Sequence, residues 1–270
     1  MSQVLGVIPA RIGSTRLPEK PLQPLLGVPL IAWVLDRTRH IPVLDRVVVA
    51  TDDERIAQVC RDWGGEVAMT RPDHPSGTDR VWEVVQSLAG PFDVVVNVQG
   101  DEPFIESATV NEAVAQVKHG FDVGTCATQV ASEAEFHDPS VVKVVRASDG
   151  TALYFSRAPI PYRRDPDGES HPPSTRLRHV GVYAYSVGAL ERWVRLEPSP
   201  LEREERLEQL RALEAGLTIG VGLVSDRGGG VDTAADLVRI EEGLRTSGVL
   251  APARRGGNQT NQTHEAVEGP

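Results

Sequence analysis

Between positions 9 and 22 the chain reads PARIGSTRLPEKPL, which places Arg11, Arg16 and Lys20 around a turn built from Gly13, Ser14 and Thr15. The first 18 residues hold two arginines and no acidic residue, although the whole chain carries a formal net charge of −10. Cations on a Gly/Ser-rich turn point to an anion. Backbone N–H groups in such a turn face a phosphate, Arg grips its oxygens bidentately and Lys adds a point charge. The loop matches neither the G-x-x-x-x-G-K-[ST] pattern nor G-x-G-x-x-G, and a solvated basic turn is the competing reading.

Triphosphate chemistry also calls for a divalent cation, and Mg²⁺ takes one or two protein carboxylates together with phosphate oxygens. Two aspartates offer themselves. Asp101 follows a strongly apolar run in VNVQGDEP, directly after a glycine. Asp232 follows three glycines in GGGVDTAAD, where the same residue is equally suited to cap a final helix.

These residues need a scaffold, and hydrophobic patterning supplies one. Apolar runs at 4–10, 46–53, 66–70 and 92–99 alternate with helical patterns at 30–39, 56–63, 79–88 and 109–117. Alternation of this kind implies right-handed crossovers and a doubly wound, mostly parallel α/β sheet. Ligands in such sheets bind beyond the carboxyl ends of the strands. The basic loop, TDD (51–53), QGDEP and GGGVDT all fall at such ends. After residue 122 the pattern becomes β-rich, in DVGTCATQV, SVVKVVRA, ALYFSR and HVGVYAYS, read as strands that extend the sheet or form an arm. The segment 158–175, with five prolines, reads as a long exposed loop, 201–216 as one charged helix, 218–224 as a last strand and 232–245 as a last helix. From 251 onward apolar periodicity ceases and a disordered tail is expected. One domain over 1–250 is the resulting expectation, with 123–217 as its inserted β-rich region.

Composition narrows the class. With 28 Lys+Arg against 38 Asp+Glu, nucleic acid is not an expected partner. Cys60 and Cys126 are the only cysteines, far apart and without metal-ligand spacing. No basic leader precedes the short apolar N-terminal run and no stretch nears 18 apolar residues, so a cytoplasmic protein without a membrane span is expected.

The ordered set IPARIGSTRLPEKPL, VATDD, TRPDHPSGTDR, VNVQGDEP, ALYFSRAPIP, LRHVGVYAYS, EPSPLEREERLEQLR and GVDTAADL, spanning roughly 3–245, resembles the CMP-KDO synthetases, the 3-deoxy-manno-octulosonate cytidylyltransferases. The resemblance implies a nucleotide-diphospho-sugar transferase-like fold and activation of KDO with CTP, giving CMP-KDO and pyrophosphate for lipopolysaccharide-type surface glycans. It implies Mg²⁺ on Asp101 and Asp232, with Arg11, Ser14, Thr15, Arg16 and Lys20 on the triphosphate. Pro9, Ala10, Ser76, Gly77, Thr78 and Asp79 would read cytosine and ribose. Gln99, Arg157, His179, Tyr183, Glu208 and Gln209 would hold the sugar acid. It further implies a homodimer with contacts in 151–190. The chain departs from the family pattern in DRGGGVDT, where a Pro and a Thr are expected, and in its extra tail. Another sugar acid (sialic acid or 8-amino-KDO), another nucleotide, or CTP binding without turnover are the alternatives.

Overall fold

A computed structural model describes residues 3–14, 16–164, 175–225, 229–248 and 250–253. Thr15, most of the Pro-rich loop and the tail from 254 lie outside the described residues. The strands are β1 (Gln3–Ala10), β2 (Pro24–Leu25), β3 (Val28–Pro29), β4 (Arg46–Thr51), β5 (Glu66–Met69), β6 (Phe92–Asn97), β7 (Val123–Gln129), β8 (Lys143–Arg146), β9 (Ala152–Ser156), β10 (Leu177–Ser186) and β11 (Ile219–Leu223). The α-helices are α1 (Leu30–Thr38), α2 (Glu54–Asp62), α3 (Gly77–Ser87), α4 (Ser107–Lys118), α5 (Glu133–His137), α6 (Val187–Val194), α7 (Pro200–Glu205), α8 (Gln209–Glu214) and α9 (Ala234–Ser247).

The main sheet runs β11-β7-β10-β6-β1-β4-β5. The pairs β1·β4, β1·β6, β4·β5 and β7·β11 are parallel, and β10 alone runs against its two neighbours on this path. The mostly parallel expectation therefore holds. Strand β1 shows why the sheet is wound on both faces. Val4 and Ile8 pack with Ile31, Ile56 and Val110 on one side, while Leu5 and Val7 pack with Val81, Leu190 and Trp193 on the other. A strand buried on both faces reads as a continuous apolar run rather than an alternating one. The β-rich stretch does both things foreseen for it: β7 and β10 extend the sheet, while β8 hangs from β10 and carries β9.

Three local readings need correction. The charged segment 201–216 is two helices, because Arg206 takes a left-handed conformation at φ 55° and ends α7. Burial of Leu207, Gln209 and Leu210 rewards the break by turning the second piece inward. The region after residue 122 holds more helix than its strand-rich pattern suggested, α5 and α6 included. Finally, α9 is capped by Thr233 in a capping box with Asp236, not by Asp232. That leaves the Asp232 carboxylate free of the capping role.

Gly100, just past β6, is the glycine that the site requires. A Cβ there would lie 2.6 Å from the carbonyl oxygen of Pro9, a backbone atom that cannot swing aside. Gly100→Ala is expected to lower the unfolding free energy by about 1–3 kcal/mol, measured by urea denaturation. An unchanged midpoint would show that β1 and the β6 loop do not need this close approach.

Candidate active site

A cleft of about 440 Å³ opens beyond the carboxyl ends of β1 and β6, lined by Pro9, Ala10, Arg11, Ser14, Arg16, Lys20, Ser76, Gly77, Gln99 and Asp101 among others. The basic loop forms one wall and the start of α3 the other. Ser76 caps α3 by accepting a hydrogen bond from Asp79 N at 3.2 Å, so SGTD is the first turn of a helix that begins two residues earlier than its periodicity indicated. An eleven-residue helix thus presents its amino end to the cleft, the end that favours negative charge.

At the rim, Lys20 Nζ donates to Asp101 Oδ2 at 2.5 Å and to Asp232 Oδ1 at 3.1 Å. Arg16 binds Asp232 through both guanidinium nitrogens at 3.0 Å. The backbone brings the two aspartate segments together across 130 positions: Val231 N donates to the carbonyl of Asp101 at 2.9 Å. Two carboxylates therefore already face one cation. Among the described residues, no group of three or more His, Cys, Asp or Glu is placed to hold a metal ion. A two-carboxylate site fits Mg²⁺ delivered with substrate phosphates, which completes its shell with oxygens from outside the protein.

The cleft adjoins a second, smaller pocket of about 120 Å³, which shares Gly77 and Gln99 with it and adds Thr78, Asn97, Tyr183, Tyr185, Trp193, Glu208 and Gln209. Glu208 accepts a hydrogen bond from Trp193 Nε1 at 2.8 Å, and its Oε1 lies 3.3 Å from Ser76 Oγ. Burial pushes its carboxyl above the usual carboxylate range. Ser76 donates its proton to Asp79 Oδ2 at 2.6 Å, so its oxygen lies between the nucleotide wall and the second pocket. Burial raises the phenols of Tyr183 and Tyr185 as well.

Two residues assigned to the sugar acid lie elsewhere. Arg157 spends its guanidinium on the carbonyls of Glu205 (2.7 Å) and Pro139 (2.9 Å) and lines neither pocket. His179 shares the face of β10 that carries Tyr183, with ring centroids 5.3 Å apart, but is partly buried and its Nε2 lies 2.8 Å from Thr125 Oγ1. TDD also stays off the cleft wall. Asp53 caps α2, and Asp52 lies 3.4 Å from Arg80.

Residue types alone did not single out several lining groups. His74 pairs with Glu83, and buried Arg80 bonds Thr70 beneath the cleft. Asn97 and Tyr185 line the second pocket beside Trp193. His74 and Arg80 lie inside TRPDHPSGTDR, Asn97 inside VNVQGDEP and Tyr185 inside LRHVGVYAYS, so the motifs held the signal. Trp193 had none, because α6 was not foreseen.

The cytidylyltransferase family model matches residues 5–219. The chain is 52% identical over 238 residues to a 3-deoxy-manno-octulosonate cytidylyltransferase of Gemmatimonas aurantiaca, covering 87% of this chain and 92% of that one. It is 48% identical to the enzyme of the same name from Syntrophotalea carbinolica, covering 90% and 98%. A solved structure of CMP:2-keto-3-deoxy-manno-octonic acid synthetase complexed with CTP superposes with a TM-score of 0.84 at 40% identity, covering 91% of this chain and all of that one. A 4-diphosphocytidyl-2C-methyl-D-erythritol synthase from Anaerococcus prevotii shares the fold alone, at a TM-score of 0.60 and 11% identity. With its cationic loop, paired aspartates and doubly wound sheet in one place, this chain belongs to the cytidylyltransferase family.

Proposed function

We propose that the protein transfers the cytidylyl group of CTP to the anomeric hydroxyl of KDO and releases pyrophosphate. The observation that carries this reading is the convergence of Lys20, Asp101 and Asp232 at the mouth of a cationic cleft that opens into a hydroxyl-rich pocket. In the reaction a sugar oxygen attacks the α-phosphorus, the bond from that phosphorus to the bridging oxygen breaks, and the sugar hydroxyl loses its proton. The barrier has two sources: the nucleophile is weak at neutral pH, and the phosphorus is shielded by negative charge. Holding the reactants in line and neutralising charge addresses both.

Arg11, Arg16 and Lys20 stand where the triphosphate enters, and the amino end of α3 adds partial positive charge from the opposite wall. Asp101 and Asp232 are the residues that would hold Mg²⁺, which when bound supplies Lewis acidity at the phosphate and eases deprotonation of the hydroxyl. Lys20, held between the two carboxylates at the mouth of the cleft, would face the departing pyrophosphate. Glu208, Gln209, Gln99 and Tyr183 offer the hydrogen-bonding groups that a polyhydroxylated acid needs. The same reading places the enzyme in the cytoplasm as a homodimer. Exposed Leu153 and Tyr162, within the β9 region and the loop that follows it, support the pairing surface.

Pyrophosphate release measured across CTP, UTP and dTTP with KDO, with and without Mg²⁺, tests the proposal. Turnover with CTP and KDO that requires Mg²⁺ is the expected result. Sialic acid and amino-substituted KDO run alongside; preference for either, or CTP binding with no turnover on any acid, overturns it.

A further inference from the structure

Asn97 ends β6 at 3% exposure, opposite Tyr183 of β10, and lines the smaller pocket. Its amide engages the Tyr185 hydroxyl, which Thr78 also bonds. Its Oδ1 is buried and has no hydrogen-bond partner among the described residues. A buried acceptor without a donor is costly, and folded proteins rarely keep one without a use.

The walls around Oδ1 say what kind of donor fits. The lining includes no Lys, Arg or His, so this pocket does not suit the carboxylate of an acid. Its single carboxyl group, on Glu208, is already engaged by Trp193 Nε1 at 2.8 Å and lies 3.3 Å from Ser76 Oγ, so an ammonium group would have to compete with these partners for it. Aromatic faces of Tyr183, Tyr185 and Trp193 pack at centroid distances of 5.5–6.2 Å and suit the carbon skeleton of a sugar. A neutral donor remains, and on a polyhydroxylated acid that donor is a hydroxyl.

We infer that Asn97 is a specificity-determining residue for the sugar acid, its Oδ1 accepting a hydrogen bond from one substrate hydroxyl while the acid's carboxylate stays outside this pocket. The inference rests on the reading of the chain as a KDO cytidylyltransferase. Gln99, two residues along at the boundary of the two pockets, lies where the sugar passes from hydroxyl recognition to the phosphate cleft. Asn97 is thus a selector acting at a distance from the reacting phosphorus.

The test is a cycle between protein and substrate: kcat/KM for KDO and for its single-deoxy analogues at saturating CTP, in the wild-type protein and in Asn97→Ala. In the wild type, one deoxy position is expected to cost about tenfold to hundredfold, the loss of a hydrogen bond to a buried group. In Asn97→Ala that penalty should collapse, with the KM for CTP unchanged. A merely structural role through Tyr185 predicts the opposite, an equal loss on every analogue, and that outcome overturns the inference. Tyr185→Phe, whatever it does to kcat, should keep the wild-type penalty. If Asn97→Ala gives no cooperative melt, Asn97→Ser replaces it. If neither folds, the wild-type panel decides, and a panel without any selective deoxy position overturns the inference. A wild-type protein that releases no pyrophosphate from CTP and KDO refutes the proposed function instead, so the two failures are distinguishable.

Discussion

Asp232→Asn should lower kcat by about 10²–10³-fold, the usual loss when one pre-organised electrostatic contact is removed from a reacting centre. The substitution keeps size and hydrogen-bonding shape while deleting the charge that meets Lys20 Nζ at 3.1 Å and Arg16 at 3.0 Å. Stability should hardly move. The Asp232 side chain is 42% exposed and Arg16 67% exposed, and exposed pairs of this kind contribute under about 1 kcal/mol. Lys20 also keeps Asp101 as a partner. Because Thr233, not Asp232, caps α9, the helix does not lose its cap. A large loss of turnover without a matching loss of stability therefore separates a catalytic carboxylate from a structural one. Near-normal kcat at saturating Mg²⁺ would falsify the assignment. Asp101→Asn should lose turnover similarly, since its backbone carbonyl still holds Val231 N and the loop geometry survives.

The sequence disclosed the parts of this site that depend on order along strands, and hid those that depend on how the chain turns. The strand β1 and the cationic loop after it were legible because a strand buried on both faces has no room for polar residues, and because charge clusters stand out in an acidic chain. Asp101 was legible by its place after β6. What no periodicity could show was the hydrogen bond from Val231 to Asp101, which makes two aspartates 131 positions apart neighbours. Glu208 and Gln209 looked like ordinary members of a charged helix. They reach the pocket because Arg206 breaks that helix, a left-handed residue that propensity does not predict at an arginine. Arg157 shows the reverse case. A cation beside a strand is a natural match for a sugar carboxylate, and no pattern in the sequence shows that its guanidinium meets carbonyls at the end of α7 and in the loop before β8. Family motifs carried more of the pocket than residue chemistry did, because they record the tertiary neighbours that a single strand or helix does not.

His179 provides the second large effect, and it is a pH effect on stability. Burial first, and the charge of Arg178 second, lower its pKa from 6.5 to about 3. Its Nε2 meets Thr125 Oγ1 at 2.8 Å and its ring packs edge-on to Phe155 at 5.2 Å. The imidazole is therefore neutral throughout any ordinary assay range and brings no positive charge to a sugar carboxylate. In the unfolded chain the same group takes up a proton as pH falls through 6.5, while the folded protein does not until about 3. The unfolded state thus binds more protons across that window, and stability rises with pH. The contribution is complete above 6.5 and is lost progressively toward 3, amounting to about 2 kcal/mol by pH 5. Glu208 acts with the opposite sign, since a carboxyl raised in the folded state favours folding as pH falls. Asp236, lowered to about 2, contributes stability that is lost only as pH falls through 3.8, below the pH 5 arm of the comparison. Comparing the wild type with His179→Gln at pH 7.5 and pH 5 isolates the histidine, because Glu208 and Asp236 are common to both proteins. The wild type should lose about 4–8 °C more in Tm between those conditions than the glutamine variant does. An equal loss in both proteins would mean that the imidazole takes up its proton as readily in the folded protein as in the unfolded chain, against its contacts with Thr125 and Phe155.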